Sequence, residues 1–307
     1  MTYPPGQSVG PPGEPTAPAV CVRHPDRPTG LRCARCDRPA CPDCLREASV
    51  GYQCVDCVNA GRSTTRRPVT PVGGQQRGRP VVVPILIAIN VAVFALTVYQ
   101  SGSLSNNAVA LLFREWGLVP METANGAWWQ LFTAGFLHYG PIHIAMNMIS
   151  LWIIGQSLEL VLGRLRFTLV YLVALLGGSV AVYLFSAQDG QVAGASGAVF
   201  GLMGGLLVVV YRLKLNPSSV ITLIVINLVL SFSIPGISWV DHLGGLVTGA
   251  LLTAAMLYAP KVNRTTWQIG AVVAVVLVLS VLIAVRTAQF VPAHCVLSTG
   301  ECFQTGS

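Results

Sequence analysis

Seven apolar runs, each long enough to cross roughly 30 Å of hydrocarbon, decide what this chain can fold into. They lie at about 81–100, 143–162, 167–186, 194–211, 218–236, 239–259 and 267–285. A segment in lipid must satisfy its backbone N–H and C=O groups internally, so runs of this length become helices. The run at 267–285 is uncharged, whereas 218–236 contains Asn227 and closes on Pro235-Gly236, which makes it the weakest of the seven. Only 10% of the residues are charged, against about 25% in a soluble domain. The first run begins some eighty residues in, which does not fit a cleaved secretion signal. The expected fold class is therefore an all-α polytopic membrane protein.

Lysine and arginine set the orientation, because they favour cytoplasmic loops. Arg62, Arg66, Arg67, Arg77 and Arg79 precede the first run, Arg164 and Arg166 follow the second, Arg212 and Lys214 the fourth, and Lys261 and Arg264 the sixth. The alternate loops are nearly bare, with Arg114 in a long one and Asp189 in 187–193. This alternation places the amino terminus in the cytoplasm and the carboxyl terminus outside, in a plasma (inner) membrane. The net charge of +7 then reflects topology and a basic linker beside anionic lipid, not nucleic-acid binding.

Runs two, four and six all enter from the outer face, and each carries polar residues near that end: His143 and Asn147, Ser196, and His242. Polar and ionisable groups within membrane spans are costly and point to function. Ser196, in Gly194-Ala195-Ser196-Gly197, is a candidate nucleophile, and His242 a candidate base that returns the proton to the leaving amine. Asp241 neighbours His242 in sequence, so its side chain is expected about 100° away around the helix, and a Ser-His dyad is the simpler arrangement. His143 and Asn147, four residues apart on one helix face, are candidate oxyanion donors, with backbone N–H groups at the start of the Ser196 helix. His138 falls just outside that helix, since Pro141 suits a first turn, and is expected in a supporting role. A lone membrane serine is more often structural and a membrane histidine can serve a proton relay or pore, so a transporter is the bland alternative.

Gly197, Gly201 and Gly205 recur at four-residue spacing, as do Gly245 and Gly249. Such small-residue faces let helix backbones approach closely, which would bring Ser196 and His242 together. Phe200, one turn below Ser196, is placed to pack on the His242 ring.

These residues resemble the rhomboid family of intramembrane serine proteases: His138-x4-His143-x3-Asn147, Gly194-x-Ser196-Gly197, His242-x2-Gly245-x3-Gly249, and Glu159-x3-Gly163-Arg164. The resemblance spans roughly residues 83–259. It implies a six-helix core at 81–259 with a seventh helix at 260–286, a water-filled cavity open to the outside, and cleavage of membrane-anchored substrates near the outer surface. It further implies Ser196 as nucleophile, His242 as base, and His143, Asn147 and the Ser196 N–H as the oxyanion site, with no cofactor for catalysis. A protein that binds membrane clients without cutting them is the alternative within the same family. Two departures stand out. Trp129-Gln130 replaces a frequent Trp-Arg pair, and Phe200 a frequent tyrosine. In the long loop 101–142, Arg114-Glu115-Trp116-Gly117 and Trp128-Trp129 suit a position in the outer interface.

The amino-terminal part reads as a second unit. Residues 1–20 are rich in Pro and Gly, a composition of disorder. Residues 21–60 carry Cys21-x2-His24, Cys33-x2-Cys36, Cys41-x2-Cys44 and Cys54-x2-Cys57, eight ligands suited to two structural Zn²⁺ sites. Alternating pairs would join Cys21, His24, Cys41 and Cys44 on one ion and Cys33, Cys36, Cys54 and Cys57 on the other; sequential pairing satisfies the same spacing. The segment looks like a B-box-type zinc finger, which implies a cytoplasmic protein partner. Residues 61–80 read as a flexible basic linker. Residues 287–307 form an external tail in which Cys295 and Cys302 are either bridged or two free thiols.

Overall fold

A computed structural model describes residues 19–64, 70, 72, 78–234 and 236–290, and the backbone of 293–296 and 301–304. Residues 1–18, expected to be disordered, lie outside the described residues. The chain divides into two compact units, Met1–Arg67 and Pro68–Ser307.

The first unit is small and loop-rich. Strands β1 (Val20–Cys21) and β2 (His24–Pro28) pair antiparallel, as do β3 (Leu45–Glu47) and β4 (Tyr52–Cys54), and helix α1 (Val55–Thr64) follows. Its interior is made of Cys21, Cys33, Ala40, Cys41, Cys44, Leu45 and Cys54. So few apolar side chains give little hydrophobic stabilisation, and domains of this size usually need a metal or disulfides. Helix α1 runs to Thr64, four residues into the expected linker.

The second unit is helical: α2 (Val82–Ser101), the short α3 (Leu111–Trp116), α4 (Pro120–Ala124) and α5 (Gln130–Thr133), then α6 (Gly140–Leu162), α7 (Arg164–Phe185), α8 (Ser196–Arg212), α9 (Ser218–Ser233), α10 (Trp239–Leu257) and α11 (Arg264–Gln289). Seven of these match the seven apolar runs. Five are long and apolar enough to cross a membrane by themselves: α2, α6, α7, α10 and α11. Helices α8 and α9 are shorter: α8 starts only after Gly194-Ala195, and α9 ends at Ser233, ahead of the end of its apolar run. The chain is thus a mostly helical membrane protein. Strands β5 (Ala293–Val296) and β6 (Glu301–Gln304) form a terminal hairpin that sets Cys295 opposite Cys302 in register.

Helices α7, α8 and α10 make the centre, α8 against α10 being the most extensive pair. Glycine is why. A Cβ on Gly245 would strike the Gly197 carbonyl, one on Gly249 the Gly201 carbonyl, and one on Gly201 the Cβ of Ala174. The backbones are therefore in direct contact along the predicted faces. Around them pack Leu158, Leu162, Phe167, Tyr171, Leu202, Met203 and Leu252, all fully buried. On α11, Ile269, Val273, Leu277, Val278 and Val281 are exposed, an apolar surface that suits lipid.

A buried carboxylate serves one helix start. Helix α2 has no local cap, and Glu159 of α6 supplies one: Oε1 accepts from the N–H groups of Val81 (2.7 Å) and Val82 (3.1 Å), and Oε2 from Val83 (3.0 Å). Gly163 turns α6 into α7 at φ 77°, a conformation that favours glycine. The stretch expected to be a free linker is pinned at Val72, which is fully buried and whose carbonyl accepts from Gln268 Nε2.

Candidate active site and metal centres

Ser196 opens α8, immediately after Gly194-Ala195. Gly194 has φ 144°, and its N–H donates to Ala134 O at 3.0 Å. A Cβ there would also meet the His143 ring, 2.8 Å from Cε1 and 2.9 Å from Nε2. Only glycine lets that ring lie over the turn that carries Ser196. His143 Nδ1 faces the N–H of Tyr139 at 3.2 Å, so Nδ1 accepts and the ring proton of the neutral form sits on Nε2, the edge facing Gly194. Asn147 is buried and spends one amide hydrogen on His143 O at 3.0 Å; the other remains for a ligand.

His138 is completely buried behind this turn. Its Nε2 lies 3.5 Å from the Ala195 N–H, and its ring meets that of His143 edge-on at 5.2 Å. It touches the serine loop from the side, as a supporting residue would.

His242 stacks on Phe200, ring centroids 4.2 Å apart and planes 13° from parallel. The ring packing expected of Phe200 is present. Ser196 and His242 are brought to the same end of the α8–α10 contact, yet no hydrogen bond joins them among the described residues. Ser196 Oγ instead donates to Asp241 Oδ2 at 3.1 Å. His242 Nδ1 lies 2.6 Å from Ser231 Oγ on α9.

Three participants were not nominated from sequence. The Asp241 side chain diverges from that of His242, as helix geometry requires, and so reaches Ser196 and packs on Gly178 and Gly197. Ser231 stands in the weakest run, where a buried polar residue four positions after Asn227 was the available signal. Asn107 holds the outer loop to the start of α6: Nδ2 donates to Thr97 Oγ1 and His138 O, and Oδ1 accepts from Gly140 N–H. Gln130, noted as a departure, is buried, accepts from Val119 N–H and Thr123, and donates to Glu122. An arginine has no acceptor and could not make the first two bonds.

The first unit gathers its ligands in two fours, Cys21, His24, Cys41 and Cys44, and Cys33, Cys36, Cys54 and Cys57, the four donor atoms of each lying within 4.8 Å of one another. This is the alternating arrangement. His24 Nδ1 is 3.8 Å from Cys21 Sγ and 3.4 Å from both Cys41 Sγ and Cys44 Sγ; Cys36 Sγ is 3.8 Å from Cys54 Sγ. A tetrahedral zinc with Zn–S near 2.3 Å and Zn–N near 2.0–2.1 Å has edges of about 3.8 Å for S···S and about 3.6 Å for S···N. The donors present fit that ion. Crowding sulfurs without a cation divides their titration: the Cys41 N–H holds Cys21 down to about 6, whereas burial and the Cys41 thiol push Cys44 up to about 11. A dication would let all of them be thiolates.

Comparison with known proteins agrees with this fold. Residues 125–259 match the rhomboid domain. The chain is 37% identical to rhomboid protease GluP of Bacillus subtilis over 61% of its own length and 36% of that protein's. It is 32% identical to RHOMBOID-like protein 4 of Arabidopsis thaliana, over 59% and 54% of the two chains, and 31% identical to the mitochondrial RHOMBOID-like protein 6 of the same plant, over 61% and 74%. The chain belongs to the rhomboid family. It spans between about a third and three quarters of these relatives.

Proposed function

We propose that this protein is an intramembrane serine endopeptidase that cleaves membrane-anchored substrates near the outer face. The observation that carries the reading is that His143 of α6 lies against Gly194 at the Ser196 turn while His242 of α10 stacks on Phe200, one turn along the Ser196 helix. Rotation of the Ser196 side chain between staggered wells takes Oγ from Asp241 to His242. Oγ then attacks the scissile carbonyl as His242 Nε2 takes its proton. The developing oxyanion accepts from the Ser196 N–H, His143 Nε2–H and the free Asn147 N–H, at the positive end of α8. Collapse expels the amine with the proton from His242, and water, deprotonated by the same histidine, releases the acyl group.

The test is labelling of the purified full chain with a fluorophosphonate probe. The wild type labels, and Ser196→Ala and His242→Ala do not. The resting Ser196–Asp241 bond favours a second reading, a rhomboid-like protein that binds membrane clients without cutting them. An unlabelled, folded wild type would support it.

The amino terminus lies in the cytoplasm and the carboxyl terminus outside the plasma membrane, as the loop charges argue. The divisions are 21–60 for the zinc-binding unit, 81–259 for a six-helix core and 260–286 for a seventh helix. The first unit holds two structural Zn²⁺ ions and offers a surface for a cytoplasmic partner; the basic stretch after it favours anionic lipid.

A further inference from the structure

We infer that Ser231 is a positioning residue for His242: its hydroxyl accepts from Nδ1–H and so leaves Nε2 as the bare nitrogen, an assignment whose catalytic meaning rests on the dyad proposed above. The argument is one of counting hydrogens. Ser231 Oγ is 2.6 Å from the Asn227 carbonyl and 2.6 Å from His242 Nδ1. The hydroxyl has one hydrogen, and a carbonyl can only accept. Two oxygens 2.6 Å apart need a hydrogen between them, so the Ser231 hydrogen goes to Asn227 O. The side of Ser231 that faces Nδ1 is therefore a lone pair, and Nδ1 must bring the proton. A neutral imidazole has only one N–H. Nε2 is left bare.

Among the described residues nothing else near His242 does this. Phe200 covers a ring face, Asp241 on the same helix is committed to Ser196, and His143 on α6 is committed through Nδ1 to Tyr139. Ser231 and His242 are both buried. In a Ser-His-Asp triad a buried carboxylate fixes the tautomer. Here a hydroxyl performs that part without a further buried charge in the membrane, where charge is costly. When His242 takes the Ser196 proton, the Nδ1–H···Oγ bond becomes charge-assisted and strengthens. Its gain thus falls where the reaction needs it.

The test uses the full chain in detergent with ¹⁵N-labelled histidine, the His242 signals being those lost in His242→Ala. The wild type is expected to show a protonated Nδ1 and a bare Nε2, Ser231→Ala a mixture of tautomers, and Ser231→Thr, which keeps the hydroxyl, the wild-type pattern. On a model transmembrane substrate, Ser231→Ala should lower kcat about ten- to a hundredfold, the range for a bond to a charged group, with KM little changed and with recovery in Ser231→Thr. A bare Nδ1 in an active wild type overturns the inference alone. So does a Ser231→Ala variant that loses thermal stability but keeps kcat. An expected tautomer in a wild type that neither labels nor cleaves removes the positioning role together with the proteolytic reading.

Discussion

The Ser196 hydroxyl donates to the Asp241 carboxylate at 3.1 Å, and Asp241 is the residue just before His242 on α10. Successive helix positions diverge by about 100°, so one turn of α10 presents a carboxylate to the serine and an imidazole to Phe200. Helix α8 has no side-chain cap of its own, and Asp241 brings negative charge to its positive end. This stabilises the helix and, in the proposed mechanism, holds Ser196 off His242. Asp241→Ala is expected to label with a fluorophosphonate about ten- to a hundredfold faster, because a hydrogen bond to a charged acceptor of about 1.5–3 kcal/mol no longer has to be broken. The same variant should unfold at lower temperature. Slower labelling by a folded variant would mean that Asp241 activates the serine.

The oxyanion donors give a kinetic prediction. In the proposed mechanism His143 and Asn147 each donate to charge developing in the transition state, so His143→Ala and Asn147→Ala should each lower kcat by about 10²–10³. KM should change little, since ground-state carbonyls carry less charge. A matched loss in KM alone would place these side chains in substrate binding instead.

Gly245 tests the helix contact that assembles the site. A Cβ at this position meets the carbonyl of Gly197, which is backbone and has no rotamer to escape into. Gly245→Ala is expected to cost at least the 1–3 kcal/mol typical of overpacking and to abolish probe labelling by pushing His242 from Ser196. Gly270→Ala is the control, because its Cβ would meet nothing within 4 Å. Thermal unfolding and labelling of the two variants separate packing from a general intolerance of alanine.

Glu159 tests a different joint. Three N–H groups at the start of α2 depend on its two oxygens. Glu159→Ala should lower stability by about 2–3 kcal/mol, more than an ordinary cap, since the acceptor is charged and buried. Glu159→Gln keeps an acceptor oxygen and should lie between. Equal stability of all three forms would show that α2 is anchored by packing alone.

What was legible in the sequence followed from periodicity and spacing. Apolar length marks every long helix, the glycine steps predict the α8–α10 contact, and Cys-x2-Cys spacing predicts two clusters of four. Ser231 and Asp241 were not legible as site residues for the same physical reason: their partners are set by tertiary packing. Ser231 reaches His242 only because α9 lies beside α10, and Asp241 reaches Ser196 only because glycines let α10 approach α8. The linker reading fell short at Val72, where a Pro- and Gly-rich composition gave no sign of the bond to Gln268. The two short helices α8 and α9 show the same limit, since apolar runs continue past the residues at which the backbone turns.

The zinc proposal can be tested together with its pairing. The full chain is expected to carry two zinc ions by elemental analysis. Removing them with a chelator should make residues 19–64 sensitive to protease while the long helices persist, because ion binding worth about 10–16 kcal/mol supplies the folding energy of so small a unit. The double variant Cys21→Ser with Cys41→Ser discriminates the pairings. In the alternating arrangement both cysteines belong to the His24 cluster, so one ion is lost and the cluster of Cys33, Cys36, Cys54 and Cys57 keeps the other. Under sequential pairing the same two changes strike both sites, and both ions are lost. One retained zinc would therefore establish the interleaved pairing, with strands β1 to β4 tied into a single unit instead of two successive loops.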